Sequence, residues 1–467
     1  MLFSSITFIY MFIPIVFILY FIVPKNYKNL ILIISSLVFY FFGEPKYTLL
    51  LIISSISDFI HSLYIEKHRD TKKAKTALIS SIIFNVALLA FFKYSDFFIG
   101  TLNSLFSLDM NLLHIPLPIG ISFFTFQTMS YTIDVYRGKA QVQRNFITLL
   151  TYVCLFPQLV AGPIVRYSDI AKELTYKDLS INNVAIGIKR LVYGLSKKIL
   201  VANVLAEFCQ VYYNTDDKTI LFTWAYAVFF SLQIYFDFSA YSDMAIGLGK
   251  ILGFNFPENF NYPYISKSIS EFWRRWHMSL GSWFRDYVYI PLGGNRVTKS
   301  RLIFNLTIVW GLTGLWHGAS WNFVVWGLYF AVLLALEKMF LQKLLDKLPS
   351  LISHIYVVVL ILISMVIFDN TSFEKLFTTL GTMFNLNGAN FTSVETMYYI
   401  KSYIVVLLSS LVFATPLMKN IAIKLRENAI SQNIINAVEP IVLGLLLIAS
   451  TSFLIDGSFN PFLYFRF

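Results

Sequence analysis

Long stretches without charge recur along the whole chain and indicate a protein that folds in a membrane. The first stretch, Met1–Val23, has no charged residue, and comparable stretches follow at Thr219–Phe236, Leu351–Phe368, Ser402–Met418 and Pro440–Ile455. The chain is 57% hydrophobic and only 13% charged, whereas a soluble domain carries about 25% charged residues. Since a helix needs about 20 apolar residues to cross a bilayer, we expect an all-α protein with roughly ten or eleven spans.

The polar residues are too few and too scattered to form a separate soluble module. We therefore predict one integral domain over residues 1–467, with N-terminal spans in 1–165, a central part with re-entrant segments in 166–330 and C-terminal spans in 331–467. The first stretch lacks a basic start and a small-residue cleavage site, so it is expected to be a span and not a removed signal peptide. No solvated basic domain is present to bind nucleic acid.

The excess of basic residues, 37 Lys and Arg against 26 acidic residues, is best explained by topology. Basic residues cluster in the loops near positions 25, 70 and 140, whereas the loop at 100–116 has neither Lys nor Arg. Because cytoplasmic loops are enriched in Lys and Arg, these loops are predicted to be cytoplasmic and the N-terminus to lie outside. Residues 183–206 are helical in period but carry four basic residues, which is typical of an interfacial or partly re-entrant helix.

His317 is the strongest candidate for a catalytic residue. It follows the apolar run that begins at Ile308, and ionisable side chains at membrane depth are usually functional because they are costly to bury. Desolvation disfavours the imidazolium form and leaves a neutral base. Such a base is able to take a proton from a hydroxyl, as acyl transfer from a thioester requires. The alternative is a packing histidine that is hydrogen-bonded to a backbone carbonyl.

A second cluster of polar and aromatic residues lies just before that run, in a region broken by prolines and glycines. Two cations, three aromatic rings and an imidazole fall within ten residues of EFWRRWHMSL (271–280), and Arg285 follows closely. If the segment is a continuous helix, Trp273, Trp276 and Leu280 share one face. The functional interpretation is a cytoplasmic site for an anionic acyl carrier, in which arginines pair with phosphates. The alternative is an interfacial aromatic belt with snorkelling arginines.

Two carboxylates end the apolar stretch that precedes this cluster. Asp237 and Asp243 lie six residues apart, and buried carboxylates need partners. Structural pairing is the favoured role, with the arginines of 274–285 as candidate partners. The histidines are scattered and the only cysteines are Cys154 and Cys209, so the sequence has no pattern of metal ligands and no disulfide framework.

Three blocks of the chain resemble the membrane-bound O-acyltransferase superfamily: YFDFSAYSDMAIGLGKILGF (235–254), EFWRRWHMSLGSWFRDYVYIPLGG (271–294) and LTGLWHGASWNFVVWG (312–327). Within it, the chain is most similar to the bacterial branch of alginate O-acetyltransferases and teichoic acid D-alanyl transferases. The segments PLPIGISFFTFQTMSYTIDVYRG (116–138), FPQLVAGPIVR (156–166) and NPFLYFRF (460–467) resemble the alginate type more. The resemblance covers nearly the whole chain.

The resemblance implies a fold and a set of site residues. The fold would be a ring of about 11 transmembrane helices with re-entrant and interfacial helices around a central funnel, and residues 166–330 would be the catalytic core. His317 and His277 match the catalytic and a second functional position. Donor binding is expected of Arg274, Arg275, Trp276, Trp273 and Arg285, and supporting roles of Asp237, Ser242, Asp243, Trp316 and Asn322. Asp369 departs from relatives, which often carry arginine there.

The expected reaction is transfer of an acetyl group from cytoplasmic acetyl-coenzyme A to an extracytoplasmic hydroxyl. His317 would act as general base, while His277 would line the donor channel or carry a proton to the leaving thiolate. No tightly bound cofactor is expected. The partners would be acetyl-coenzyme A, membrane lipid, an extracytoplasmic acyltransferase and a cell-surface polysaccharide, in a bacterial cytoplasmic membrane. A D-alanyl transferase with a carrier-protein donor and a transporter without chemistry are the alternatives.

Overall fold

A computed structural model describes residues 2–160, 162–456 and 460. Of the residues that the structure describes, 75% are helical, and these residues form no β-strand. The prediction of an all-α protein is therefore confirmed. The described residues group into two compact units, one of Met1–Leu191 with Tyr241–Glu258 and the other of Val192–Ala240 with Asn259–Phe467. The predicted division into three consecutive parts stays a prediction.

The first unit is built mainly from the N-terminal helices. They are α1 (Ile13–Ile22), α2 (Lys28–Phe41), α3 (Thr48–Lys67), α4 (Lys72–Phe106), α5 (Ile121–Tyr136), α6 (Phe146–Cys154), α7 (Phe156–Leu159) and α8 (Tyr167–Ile170). Helices α3, α4 and α5 pack on one another around the fully buried carboxylate of Asp58, which accepts hydrogen bonds from Ser81 at 2.6 Å and from the amide of Asn85. Polar groups buried among apolar helices satisfy one another in this way.

Two helices run from one unit into the other. Helix α9 (Ile181–Ser196) continues through a π-helical turn, Lys197–Ala202, into α10 (Asn203–Asn214), which lies in the second unit. The long helix α11 (Ile220–Ile251) has its first part in the second unit and its last part, from Tyr241, in the first. The helical period predicted for residues 183–206 is therefore confirmed.

The second unit contains the remaining helices. They are α12 (Ile269–Arg275), α13 (Met278–Phe284), α14 (Lys299–His317), α15 (Trp321–Leu336), α16 (Gln342–Leu345), α17 (Ser350–Asp369), α18 (Phe373–Met383), α19 (Val394–Ser402), α20 (Ile404–Phe413), α21 (Leu417–Arg426) and α22 (Ala429–Ile455). π-Helical turns Arg285–Tyr289 and Glu337–Leu341 extend α13 and join α15 to α16. The segment NPFLYFRF (460–467), used for the resemblance above, lies outside the described residues except for Asn460.

Among the described residues, six helices are long and apolar enough to cross a membrane: Thr48–Lys67, Lys72–Phe106, Ile220–Ile251, Trp321–Leu345, Ser350–Asp369 and Ala429–Ile455. Helices α19 and α20, which bend by 53° at their junction, form a seventh if they count as one span, and Phe8–Ile22 is a shorter apolar helix. Helices satisfy every backbone polar group internally, which is what a bilayer requires. Six to seven candidate spans are fewer than the number predicted, so the ring of about 11 helices is not established by these elements.

Candidate active site

His317 is the last residue of α14 and lies in the second unit. Its half-buried ring meets three aromatic rings edge-on: Trp326 at 5.0 Å between centroids, Trp316 at 5.1 Å and Phe368 at 5.4 Å. The imidazole therefore lies in an aromatic pocket that is formed by the end of α14, by α15 and by α17.

Two glycines bring α14 and α15 close enough to form this pocket. A Cβ atom on Gly314 would lie 2.2 Å from the carbonyl oxygen of Phe323, and one on Gly327 would lie 2.3 Å from that of Trp310. Real Cβ atoms do not approach an oxygen so closely, so the absence of a side chain at both positions permits the contact between the two backbones. That contact is what places Trp326 against His317.

His277 lies at a sharp break between α12 and α13 with a left-handed backbone conformation, φ +43°. The imidazole Nδ1 lies 3.1 Å from the Asn259 side-chain oxygen, to which the Ser279 backbone N–H and hydroxyl also donate. Because a backbone N–H only donates, the Asn259 atom is an acceptor, and Nδ1 must carry the imidazole proton. The buried Nε2 is then the basic nitrogen, and it has no hydrogen-bond partner among the described residues.

The break corrects one prediction from the sequence. Helix α12 ends at Arg275, Trp276 is extended and α13 begins at Met278, so the continuous helix that would place Trp273, Trp276 and Leu280 on one face is wrong. The turn allows the His277 ring to contact the ring of Phe238 at 4.6 Å and that of Trp316 at 5.8 Å.

The two histidines share one neighbour. The Trp316 ring contacts both imidazoles, with centroid distances of 5.8 Å to His277 and 5.1 Å to His317. Burial lowers the pKa of His277 well below the ordinary value for histidine, and the nearby His317 lowers it further. His277 is therefore a neutral imidazole at pH 7 that offers a lone pair and no charge.

A cavity of about 900 Å³ leads to His277. Trp273, Trp276 and His277 line it with several apolar side chains, and the basic residues of its lining are Arg274, Arg285, Lys338 and Lys343. A pocket that is mostly apolar, with a few charged groups, is typical of a site for a small molecule. The structure thus brings four of the five predicted donor-binding residues to one cavity.

The predicted donor-binding arginines differ in their surroundings. Arg275 lines a neighbouring cavity of about 630 Å³ and pairs with Glu271 at 2.8 Å. Arg274 lines both cavities, and its exposed side chain donates to the backbone carbonyl of Ser270 at 3.1 Å. Arg285 pairs with Asp286 at 2.7 Å. Arg274 is therefore the cation that connects the two cavities.

One buried carboxylate that the sequence did not single out holds α12 in place. Glu337, only 1% exposed, accepts hydrogen bonds from the backbone N–H groups of Ile269 at 2.6 Å and Ser270 at 2.8 Å, and from the Ser270 hydroxyl at 2.7 Å. Helix N-termini attract negative charge because their first N–H groups have no partner within the helix. The signal that could have identified Glu337 is an acid placed directly after the apolar run of α15.

Asp237 has a different partner from the arginines predicted. Its carboxylate lies 2.6 Å from the ammonium nitrogen of Lys198, and both side chains are almost completely buried. This lysine lies in the π-helical turn that follows α9. It is one of the four basic residues within residues 183–206. The pair explains how so charged a segment packs among apolar helices, and the structural interpretation of Asp237 fits this geometry.

Asp243 and Ser242 belong to the first unit. Arg190 donates to Asp243 at 2.9 Å and to both oxygens of Glu258, at 2.6 and 2.5 Å. Ser242 is buried, 2% exposed. As with Asp237, the cation that pairs with the carboxylate lies within residues 183–206 and differs from the arginines that the sequence suggested.

Asn322 and Asp369 lie beside Phe368, whose ring contacts His317. The Asn322 amide donates to the backbone carbonyl of Phe368 at 2.9 Å, so it ties the start of α15 to the end of α17. The adjacent Asp369 accepts hydrogen bonds from the hydroxyls of Tyr213, at 2.6 Å, and Tyr226. The Asp369 carboxylate therefore has two tyrosines as partners.

A helical protein with several candidate spans, and with a mostly apolar cavity lined by one imidazole whose neighbour Trp316 also contacts a second, has the features of a membrane enzyme. The chain belongs to the membrane-bound O-acyltransferase family, which its residues 75–373 match. It is accordingly a multi-pass membrane protein and an acyltransferase, and the resemblance drawn from its motifs is confirmed.

Relatives of this chain carry names that specify different polymers. It is 35% identical to the probable alginate O-acetylase AlgI of Azotobacter vinelandii, with 100% of both chains covered. It is 31% identical to the peptidoglycan O-acetyltransferase of Helicobacter pylori, over 100% of this chain and 98% of that protein. With the teichoic acid D-alanyltransferase of Bacillus subtilis it shares 32% identity, but only over 48% of this chain and 59% of the relative.

Proposed function

We propose that this protein is an O-acetyltransferase that takes an acetyl group from cytoplasmic acetyl-coenzyme A and transfers it to an extracytoplasmic hydroxyl, for O-acetylation of a cell-surface polysaccharide. The observation that carries the proposal is the cavity lined by His277, whose ring shares Trp316 as a neighbour with that of His317. The relatives matched over their full length are named for acetyl transfer to alginate and to peptidoglycan, which supports acetyl as the group transferred.

The donor would enter the cavity with its phosphates near Arg274 and Arg285 and its thioester directed toward His317. His317 takes the proton of the acceptor hydroxyl, whose oxygen attacks the thioester carbon, and the carbon–sulfur bond breaks to give an ester and a thiol. The proton arrangement at His277 supports a role in lining the channel. With Nδ1 donating to Asn259, its Nε2 is able to accept a hydrogen bond from an amide N–H of the donor.

The wider arrangement also belongs to the proposal. The ring of about 11 spans, the central funnel, the bacterial cytoplasmic membrane and the external N-terminus follow from family resemblance and from the distribution of basic loops. A separate extracytoplasmic acyltransferase would receive the acetyl group and modify the polysaccharide, with membrane lipid around the spans. No tightly bound cofactor enters the reaction as proposed.

The test uses purified protein in detergent, supplied with radiolabelled acetyl-coenzyme A and a hydroxyl acceptor. Since general base catalysis contributes about 10²–10⁴-fold, His317→Ala should lower the rate of thioester cleavage by that factor with unchanged folding. His277→Ala should mainly raise the KM for the donor. Full activity of a folded His317→Ala protein would remove His317 from the mechanism.

A D-alanyl transferase is the second candidate, favoured by the partial match to that class. It would take its thioester from a carrier protein, so it would bind that carrier tightly and leave acetyl-coenzyme A uncleaved. The same assay with an acetyl donor and with a D-alanyl carrier protein, compared in wild type and His317→Ala, separates the two functions.

A further inference from the structure

The indole N–H of Trp326 is a buried donor with no acceptor among the described residues. The residue is 2% exposed and sits in the first half of α15. Buried N–H groups are almost always hydrogen-bonded because leaving one unpaired costs free energy, and each exception therefore needs an explanation. A donor that is unpaired within the protein is available to a ligand.

The position of Trp326 indicates which ligand atom it would serve. Its ring meets the His317 ring at 5.0 Å with an angle of 78° between the planes. On another side it contacts the ring of Trp273 at 5.6 Å, and Trp273 lines the donor cavity. Trp326 therefore connects the candidate base with the wall of the cavity through which the thioester would arrive.

Acyl transfer creates a negative charge that needs such a donor. When the acceptor oxygen bonds to the thioester carbon, the carbonyl electron pair moves onto its oxygen, and the hydroxyl proton passes to His317. The oxyanion then collapses, the carbon–sulfur bond breaks and the thiolate leaves with that proton. Preorganised N–H donors in a dry site stabilise the oxyanion more than the ground-state carbonyl. A neutral indole provides this without the positive charge that would depress the basicity of His317.

We propose that the Trp326 indole N–H donates a hydrogen bond to the thioester oxygen as it becomes the tetrahedral oxyanion, which makes Trp326 a catalytic residue of this enzyme. The inference rests on the proposed function, because it requires a thioester donor and His317 as base. It also gives the indole at position 326 a role that a phenyl ring does not fill.

The decisive variant is Trp326→Phe, which keeps an aromatic ring and removes the N–H. Loss of one oxyanion donor lowers kcat by about 10²–10³-fold, so we expect that loss in acetyl transfer, with a KM for acetyl-coenzyme A that changes far less than kcat. Because a phenyl ring is smaller, a second variant carries 3-benzothienylalanine at position 326. This residue keeps the bicyclic shape and replaces the N–H by sulfur, and it should show the same loss.

Trp224 provides a matched control. Its indole N–H donates to the backbone carbonyl of Met383 at 2.9 Å, so Trp224→Phe should lower the thermal stability and leave kcat unchanged. The benzothienyl variant at Trp326 should retain the wild-type melting temperature, because the N–H that it lacks is unpaired within the described protein. A merely structural role of Trp326 would give the opposite pattern, with lost stability and kept kcat.

The outcomes separate this inference from the proposed function. If wild type transfers acetyl groups in a His317-dependent manner and both Trp326 variants keep kcat within about threefold, the oxyanion role is wrong and the proposed function stands. If wild type shows no His317-dependent transfer, the proposed function and the oxyanion role fall together.

Discussion

Replacing Glu337 by leucine removes the acceptor of three hydrogen bonds at the first turn of α12. Two of the donors are the backbone N–H groups of Ile269 and Ser270. Because the helix fixes their direction, they cannot rotate toward another acceptor. Leaving a buried donor unpaired costs about 1–3 kcal/mol, so the two together predict a loss of roughly 2–6 kcal/mol. Glu337→Gln keeps one acceptor oxygen and should lose about half as much.

The functional consequence is distinct from the loss of stability. Helix α12 carries Trp273 and Arg274, both of which line the cavity proposed to hold the donor, and Glu337 binds the first N–H groups of this helix. We expect a raised KM for the acyl donor in Glu337→Gln, with kcat much less affected, because the carboxylate orients the binding residues and does not contact the reacting atoms.

The assay combines thermal unfolding in detergent with steady-state kinetics of thioester cleavage. Glu374, an exposed acid in the first turn of α18, is the matched control. Its replacement by glutamine should change stability by no more than about 0.5 kcal/mol. A Glu337→Leu protein that unfolds within about 1 kcal/mol of wild type would refute the reasoning, because the two backbone donors alone account for more than that.

Three further predictions concern the packing around the site. Asp237→Asn leaves Lys198 buried without its counter-charge and should cost about 3–5 kcal/mol in thermal unfolding, most of which returns in the double variant with Asp237→Leu and Lys198→Met. Asn322→Ala removes the tie between α15 and α17 and should cost about 1 kcal/mol, with a lower kcat and an unchanged donor KM in the kinetic assay. Gly314→Ala places a Cβ atom 2.2 Å from a backbone carbonyl oxygen of α15 and should abolish acetyl transfer, whereas Gly311→Ala, which meets nothing within 4 Å, should keep it.

The apolar stretches predicted the helices well because a long uncharged segment has few alternatives in a membrane. Leu351–Phe368 corresponds to α17 within one residue at each end. The stretch Ser402–Met418 is less regular, since α20 ends at Phe413 and bends from α19 by 53°. Polar and helix-breaking residues within a span decide such bends, and their effect depends on neighbouring helices.

The details of the candidate site were less predictable. The backbone turns at His277 because Asn259, eighteen residues earlier, binds both the imidazole and the start of α13. The spacing of residues along the chain does not predict that contact. The partner of Asp237 was misassigned for the same reason: charge pattern restricts the candidates to cations, but packing selects Lys198. Trp326 lies within the block 312–327, but its place in the sequence does not show that its N–H is buried and has no partner among the described residues.

The buried pair of Lys198 and Asp237 also constrains how the protein reaches its membrane. The lysine is synthesised about forty residues before the aspartate that neutralises it. On insertion scales a lone lysine at the centre of a membrane helix costs about 2.5–3.5 kcal/mol. The segment around Lys198 should therefore remain accessible to water until α11 has left the ribosome, and the two should then pack together. We therefore expect a chain truncated before Asp237 to leave this segment accessible to water-soluble reagents.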